Sequence, residues 1–170
     1  PPTSTPGFDA LPGRMIRQRS VVNQLTDRTP SILRAAIKIL AQPTKKDAKS
    51  KVAAFAMLAA LVRTLQGGVD AHVAALVPPL VAALNDTKQP ALRLEALQFL
   101  RLLVDTHAPE TIQPHADALL VPLTKCIAAD WYKIVAEALR CAASVAAKLR
   151  PFTDGMFEPA SPVALKFASG

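Results

Sequence analysis

The sequence predicts an all-α chain, an α-solenoid of about three helical hairpins laid side by side, and three observations carry that prediction. One is a theme repeated at fixed spacing: His72, Leu76, Pro79 and Leu80 return as His115, Leu119, Pro122 and Leu123, each forty-three positions on. The same step backwards from Leu76 and Leu80 reaches Leu33 and Ile37, again apolar. Another is that every copy runs into a second helix-like stretch: "KVAAFAMLAALV" from Lys51, "LRLEALQFLRLLV" from Leu92 and "YKIVAEALRCAASVAAKL" from Tyr132. The last is vocabulary: 51% of residues are hydrophobic but only 5% aromatic, so the apolar content is mostly the Ala, Leu and Val that pack helices. Two helices per unit of about 40–47 residues is the period of HEAT-type repeats. Such units shield one another in a row and present surfaces rather than pockets.

Residues 1–27 read as a linker or the remnant of a preceding repeat. "PPTSTPGFDALPG" is punctuated by proline and glycine, and "RMIRQRSVVNQL" offers a short helix with Met15, Ile16, Val22 and Leu25 along one side. The first repeat is expected over 28–68. Thr29 is placed as an N-cap with Pro30 in the first turn, and the helix runs to Ala41 before Gln42–Pro43 stops it. Its partner is expected from Asp47 to a stop at Gly67–Gly68.

The second repeat, 69–110, opens at Val69 or Asp70 and reaches Leu84; Asn85–Asp86–Thr87 turns the chain, and Pro90 begins a helix to about Thr106. In the third, 111–150, Pro109 and Pro114 bracket the crossover, a helix spans Pro114 to Ala128, and Asp130 caps another that ends near Arg150. On that last helix Trp131, Ile134, Val135, Ala138, Leu139, Ala142, Val145, Ala146 and Leu149 form the packed face. Lys133, Glu137, Arg140, Ser144 and Lys148 take the other. Pro78–Pro79 and Pro122 fall inside first helices, and their repetition suggests a built-in kink. Residues 151–170 read as the connector to a following repeat, so the chain is taken as a piece of a longer array.

The formal charge is +7, and it is uneven: 28–68 holds eight Lys or Arg against one Asp. Lys45, Lys46, Lys49 and Lys51 form the cluster best placed to meet an acidic partner, although such a cluster also suits a solvated inter-helix turn. Charge alone supports a nucleic-acid reading, and the lack of interleaved aromatics or a binding module argues against it. The longest apolar run, Val73 to Leu84, is too short for the ~20 residues of a membrane span. No phosphate-cradling glycine loop, nucleophile elbow, HExxH or CxxC occurs. His72 and His115 are equivalent structural positions at helix starts, and His107 is expected in an exposed turn. Cys126 and Cys141 read as buried, reduced thiols; with His115 they lack a fourth zinc ligand. Neither an enzyme nor a cofactor is indicated.

Taken in order, "LVPPLVAALND" (76–86), "LRLEALQFL" (92–100), "PHADALLVPLTKCI" (114–127), "DWYKIVAEAL" (130–139) and "LRPF" (149–152) resemble the middle of the cullin-associated and neddylation-dissociated proteins, continuously over roughly 28–152. The resemblance implies a HEAT superhelix that wraps an unmodified cullin–RING ubiquitin ligase scaffold and competes with its substrate adaptors, without catalytic residues, in cytoplasm and nucleus. It places this piece, expected to be monomeric, in the connecting arch, and transfers no binding residue to it. The rival readings are another HEAT scaffold, such as a nuclear transport receptor or phosphatase scaffold, and a nucleic-acid-binding helical repeat.

Overall fold

The computed structural model describes the backbone of residues 12–65 and 68–149, and the side chains of 23–43, 48–65 and 68–149. The expectations for 1–11 and for the connector at 151–170 lie outside the described residues.

The helices are α1 (Pro12–Leu40), α2 (Thr44–Leu65), α3 (Val73–Asn85), α4 (Pro90–Thr106), the single turn α5 (Pro109–Ile112), α6 (Ala116–Ile127) and α7 (Tyr132–Lys148). Short 3-10 turns, Asp70–His72 and Gln113–His115, lead into α3 and α6. They start forty-three positions apart, so the repeat seen in the sequence is also a repeat of local geometry. No strand occurs among the described residues.

The hairpins are α1/α2, α3/α4 and α6/α7, and they stack as two layers. The first helices line up as α1–α3–α6, and the second as α2–α4–α7, with α4 packed on α2 at one flank and on α7 at the other. This is the row expected of an α-solenoid, not a bundle about one axis. One continuous apolar core runs through all of it, from Leu33 on α1 to Leu149 after α7. Between α2 and α4 the Phe55 and Phe99 rings sit 5.5 Å apart, tilted at 47°, a favourable offset aromatic geometry.

Several local expectations are corrected. Thr29 is not an N-cap, because α1 continues through it unbroken. Its hydroxyl donates back to the Leu25 carbonyl at 2.8 Å, inside the helix, and Pro30 is an interior residue. The helix thus crosses the expected junction between residues 27 and 28. Helix α2 begins at Thr44, ahead of Asp47, so the basic cluster lies in its first turns rather than in a loop. Asp130 does not cap α7; Trp131 holds the capping position and makes no side-chain cap bond. The helix expected from Pro114 to Ala128 is instead the end of a 3-10 turn followed by α6, and α5 occupies the crossover before it.

Pro78 and Pro79 lie inside α3, and Pro122 inside α6, as expected. A proline removes the bond to the carbonyl four residues back. Those residues are Ala74, Ala75 and Ala118, all exposed, so water is at hand for the carbonyls concerned. That placement keeps the cost of the prolines down.

Candidate protein-binding surface

Aligning the second helices at a step of forty-two places Lys51 of α2 level with Arg93 of α4 and Val135 of α7. All three are buried. Lys51, at 7% exposure, is therefore set apart from its exposed neighbour Lys49. The side chains of Lys45 and Lys46, the other members of the predicted cluster, lie outside the described residues.

Arg93 shows what a cation does at such a position. Its Nε donates to the Leu84 carbonyl at 2.8 Å and its Nη2 to the Lys125 carbonyl at 3.2 Å. Both acceptors belong to the last turns of first-layer helices, α3 and α6, where carbonyls lack helical partners and the helix dipole is negative. One buried side chain thus stitches its own hairpin to the next. Lys148 repeats the device at the far end of α7, donating to the Asp105 and His107 carbonyls at 2.7 Å each, at the C-terminal end of α4.

The outer face of the second layer carries the exposed chemistry. From α2 it shows Lys49, Met57 and Arg63, with Ala53, Ala56 and Ala60 making a smooth ground between them; from α4, Gln98 and Asp105; from α7, Tyr132, Lys133 and Arg140. Glu137, assigned by periodicity to the open side, is 4% exposed. Its Oε1 accepts from Arg101 Nε at 2.7 Å and its Oε2 from Arg140 Nη1 at 3.1 Å. The bond to Glu137 holds the Arg101 pKa above its usual value. Leu139, placed on the packed face, is 39% exposed. Its counterpart forty-two back, Leu97, is covered because α7 lies over α4; no described helix lies beyond α7.

Trp131 is likewise more exposed than its expected core role, at 37%. It lines a cleft of about 530 Å³ between the α3–α4 and α6–α7 turns, together with Arg93, Lys125, Asp130 and the backbone around them. Lys133 Nζ lies 5.8 Å from the centre of the indole ring.

His107 is buried, not exposed as its turn position suggested. Its Nδ1 is 3.0 Å from the Leu103 carbonyl, and Nε2 lies 4.0 Å from Asp70 Oδ1. His72 and His115 close the two 3-10 turns, as equivalent positions should. Cys126 and Cys141 are buried free thiols, in line with their reading as small core residues. Burial pushes both pKa values up, that of Cys141 to about 12, so neither is a nucleophile at neutral pH. Among the described residues no cluster of His, Cys, Asp or Glu is placed to hold a metal, and no helix is long and apolar enough to cross a membrane.

Comparison with known proteins completes the picture. Residues 67–166 match a family described as CAND1-like, TPR repeats. The chain belongs to that family. TPR and HEAT units are both two-helix repeats that stack into solenoids, so the description agrees with the layered hairpins. The chain is 38% identical over 116 residues to cullin-associated NEDD8-dissociated protein 1 of Arabidopsis thaliana, covering 68% of this chain and 10% of that protein. Protein 2 of the same name from Mus musculus is 31% identical over 119 residues, covering 69% and 9%. Protein 1 from Drosophila melanogaster is 30% identical over 129 residues, covering 75% and 10%. This member of the CAND1-like family thus spans about a tenth of the length of the curated relatives it matches.

The signals that sequence reading missed are positional. Lys51 and Arg93 share a repeat position, and both are buried, so a cation recurring there marks the interior of the stack rather than a contact patch. Nothing comparable marks Glu137, whose burial depends on Arg101 reaching over from α4.

Proposed function

We propose that this chain is a segment of a non-catalytic scaffold that binds an unmodified cullin–RING ubiquitin ligase scaffold and regulates its assembly by competing with substrate-adaptor modules. The observation that carries the reading is a layered α-solenoid in a chain of the CAND1-like family. Stacked hairpins work by shape: curvature and an extended face replace a reactive centre. Repeats at 28–68, 69–110 and 111–150, with 151–170 leading onward, fit a stretch of the arch between two grips on the cullin. The protein acts in cytoplasm and nucleus. The exposed, cation-rich face of α2, α4 and α7, with Lys49 at one end of it, suits an acidic partner surface, and Lys45 and Lys46 in the first turn of α2 add to its charge in sequence, whereas Lys51 is buried.

The test is capture of purified cullin–RING scaffold, with and without its ubiquitin-like modifier, by the full-length parent. Retention of the unmodified form and release on adding substrate adaptor supports the proposal. Equal capture of both forms, or no competition by adaptor, refutes it. The isolated 170 residues are expected to bind weakly, because a mid-arch segment supplies few anchors; sub-micromolar affinity from this piece contradicts that placement.

A further inference from the structure

We propose that the cleft between the α3–α4 and α6–α7 turns is a docking site for an acidic segment of a partner protein, one that carries an aromatic or large apolar side chain beside its carboxylates. The cleft lies at the turn edge of the solenoid; none of its lining residues belongs to the outer face of the second layer, and Lys133 stands where the two meet. The lining itself is therefore read without assuming that cullin is the parent's partner.

Charge argues for the occupant. Arg93 forms part of the wall, and among the described residues no carboxylate lies within ion-pairing distance of it; its observed partners are the neutral carbonyls of Leu84 and Lys125. Lys125 stands exposed on the same wall, and Lys133 holds its ammonium over the Trp131 ring. Against these the lining has one acid, Asp130. The nearby Asp86 is turned to its own loop, accepting the Lys88 amide at 3.1 Å. An arriving carboxylate meets cations: the exposed Lys125, and the buried Arg93, whose guanidinium has N–H groups besides those bonded to the two carbonyls.

Shape argues for the aromatic. Trp131 is the largest apolar side chain in the molecule and leaves more than a third of itself uncovered where the cleft opens. A volume of about 530 Å³ falls within the usual range of about 300–1,000 Å³ for ligand clefts, so it takes a few side chains and not a folded domain. Nucleic acid fits less well, because Asp130 lines the cleft and one indole makes no platform for successive bases.

Trp131 is the only tryptophan in the chain, which makes its emission a direct report on the cleft. The experiment titrates the 170-residue chain with a blocked pentapeptide of four acidic residues around a central phenylalanine. The same peptide with lysine in place of each acid, and a mixed-sequence DNA duplex, serve as comparisons. The proposal expects a saturable change in emission with the acidic peptide alone, weakened by raising salt from about 50 to about 500 mM. Lys125→Glu is expected to weaken binding at least about tenfold while leaving the helical circular dichroism unchanged. Lys125→Ala gives a second, milder reading should the reversal disturb the fold. No saturable change up to about 1 mM peptide, an equal response to the basic peptide, or tighter binding of the duplex overturns it.

Discussion

Arg101 on α4 and Glu137 on α7 meet at 2.7 Å across the seam between two repeats, and Arg140 closes on the other carboxylate oxygen at 3.1 Å. The acid is buried, whereas Arg101 is about a third exposed and Arg140 about two thirds. Glu137→Ala removes the acceptor but leaves both cations within reach of water. Its expected cost is therefore about 1–2 kcal/mol, below that of a fully buried pair. Urea unfolding of Arg101→Ala, Glu137→Ala and the double variant checks this. Strict additivity of the two single effects would show that the bridge stabilises nothing.

Arg93 is expected to matter more than Arg101, because it satisfies two helix ends at once. Arg93→Ala strands the Leu84 and Lys125 carbonyls and is expected to cost about 2–4 kcal/mol. Lysine cannot reproduce the planar fork, so Arg93→Lys should recover only part of that loss. A lysine variant as stable as the parent chain would mean that charge alone suffices.

Leu97 and Leu139 hold the same repeat position with opposite surroundings. Leu97→Asp places a carboxylate under α7 and is expected to cost more than about 4 kcal/mol, enough to abolish cooperative folding. Leu139→Asp is expected to cost under about 1 kcal/mol in this chain, since the side chain is already open to solvent. Thermal melts by circular dichroism separate the two, and comparable losses would contradict the geometry.

Cys141 sets an alkaline limit. Its folded pKa is raised by burial from 9.0 to about 12, so the unfolded thiol ionises first as pH rises. The stabilisation is complete below about pH 9 and is lost progressively toward pH 12, at up to about 1.4 kcal/mol per pH unit. Cys141→Ala should flatten the decline between those limits, by close to one proton in the slope. Unchanged pH dependence in the variant would place the sensitivity elsewhere. The native thiol is also expected to resist a disulfide-exchange reagent near pH 8 until denaturant is added.

The repeat itself was plain in the sequence, because the forty-three-residue step reappears as matching 3-10 turns before α3 and α6. The layering followed from it. What periodicity could not supply was which flank of a helix has a neighbour. It grouped Leu139 with Ala138 and Ala142 because it measures angle alone, whereas exposure depends on whether another helix arrives on that side. Glu137 failed in the opposite sense: a charged residue was assigned to water, and a cation from the adjoining hairpin covered it. Thr29–Pro30 read as a helix start because threonine before proline usually is one. The hydroxyl turned inward to Leu25 instead, and the helix continued. Of the basic cluster, the sequence identified charge but not depth, which separates Lys49 from Lys51.

The two joints on either side of α4 are made of different materials. Toward α2 the join includes a pair of phenyl rings, which tolerate sliding; toward α7 it includes the charged hydrogen bond from Arg101 to Glu137, whose geometry fixes direction. Bent or stretched along its length, the molecule behaves as a spring with unequal coils. The greasy joint is expected to yield first, while the directional one keeps its angle.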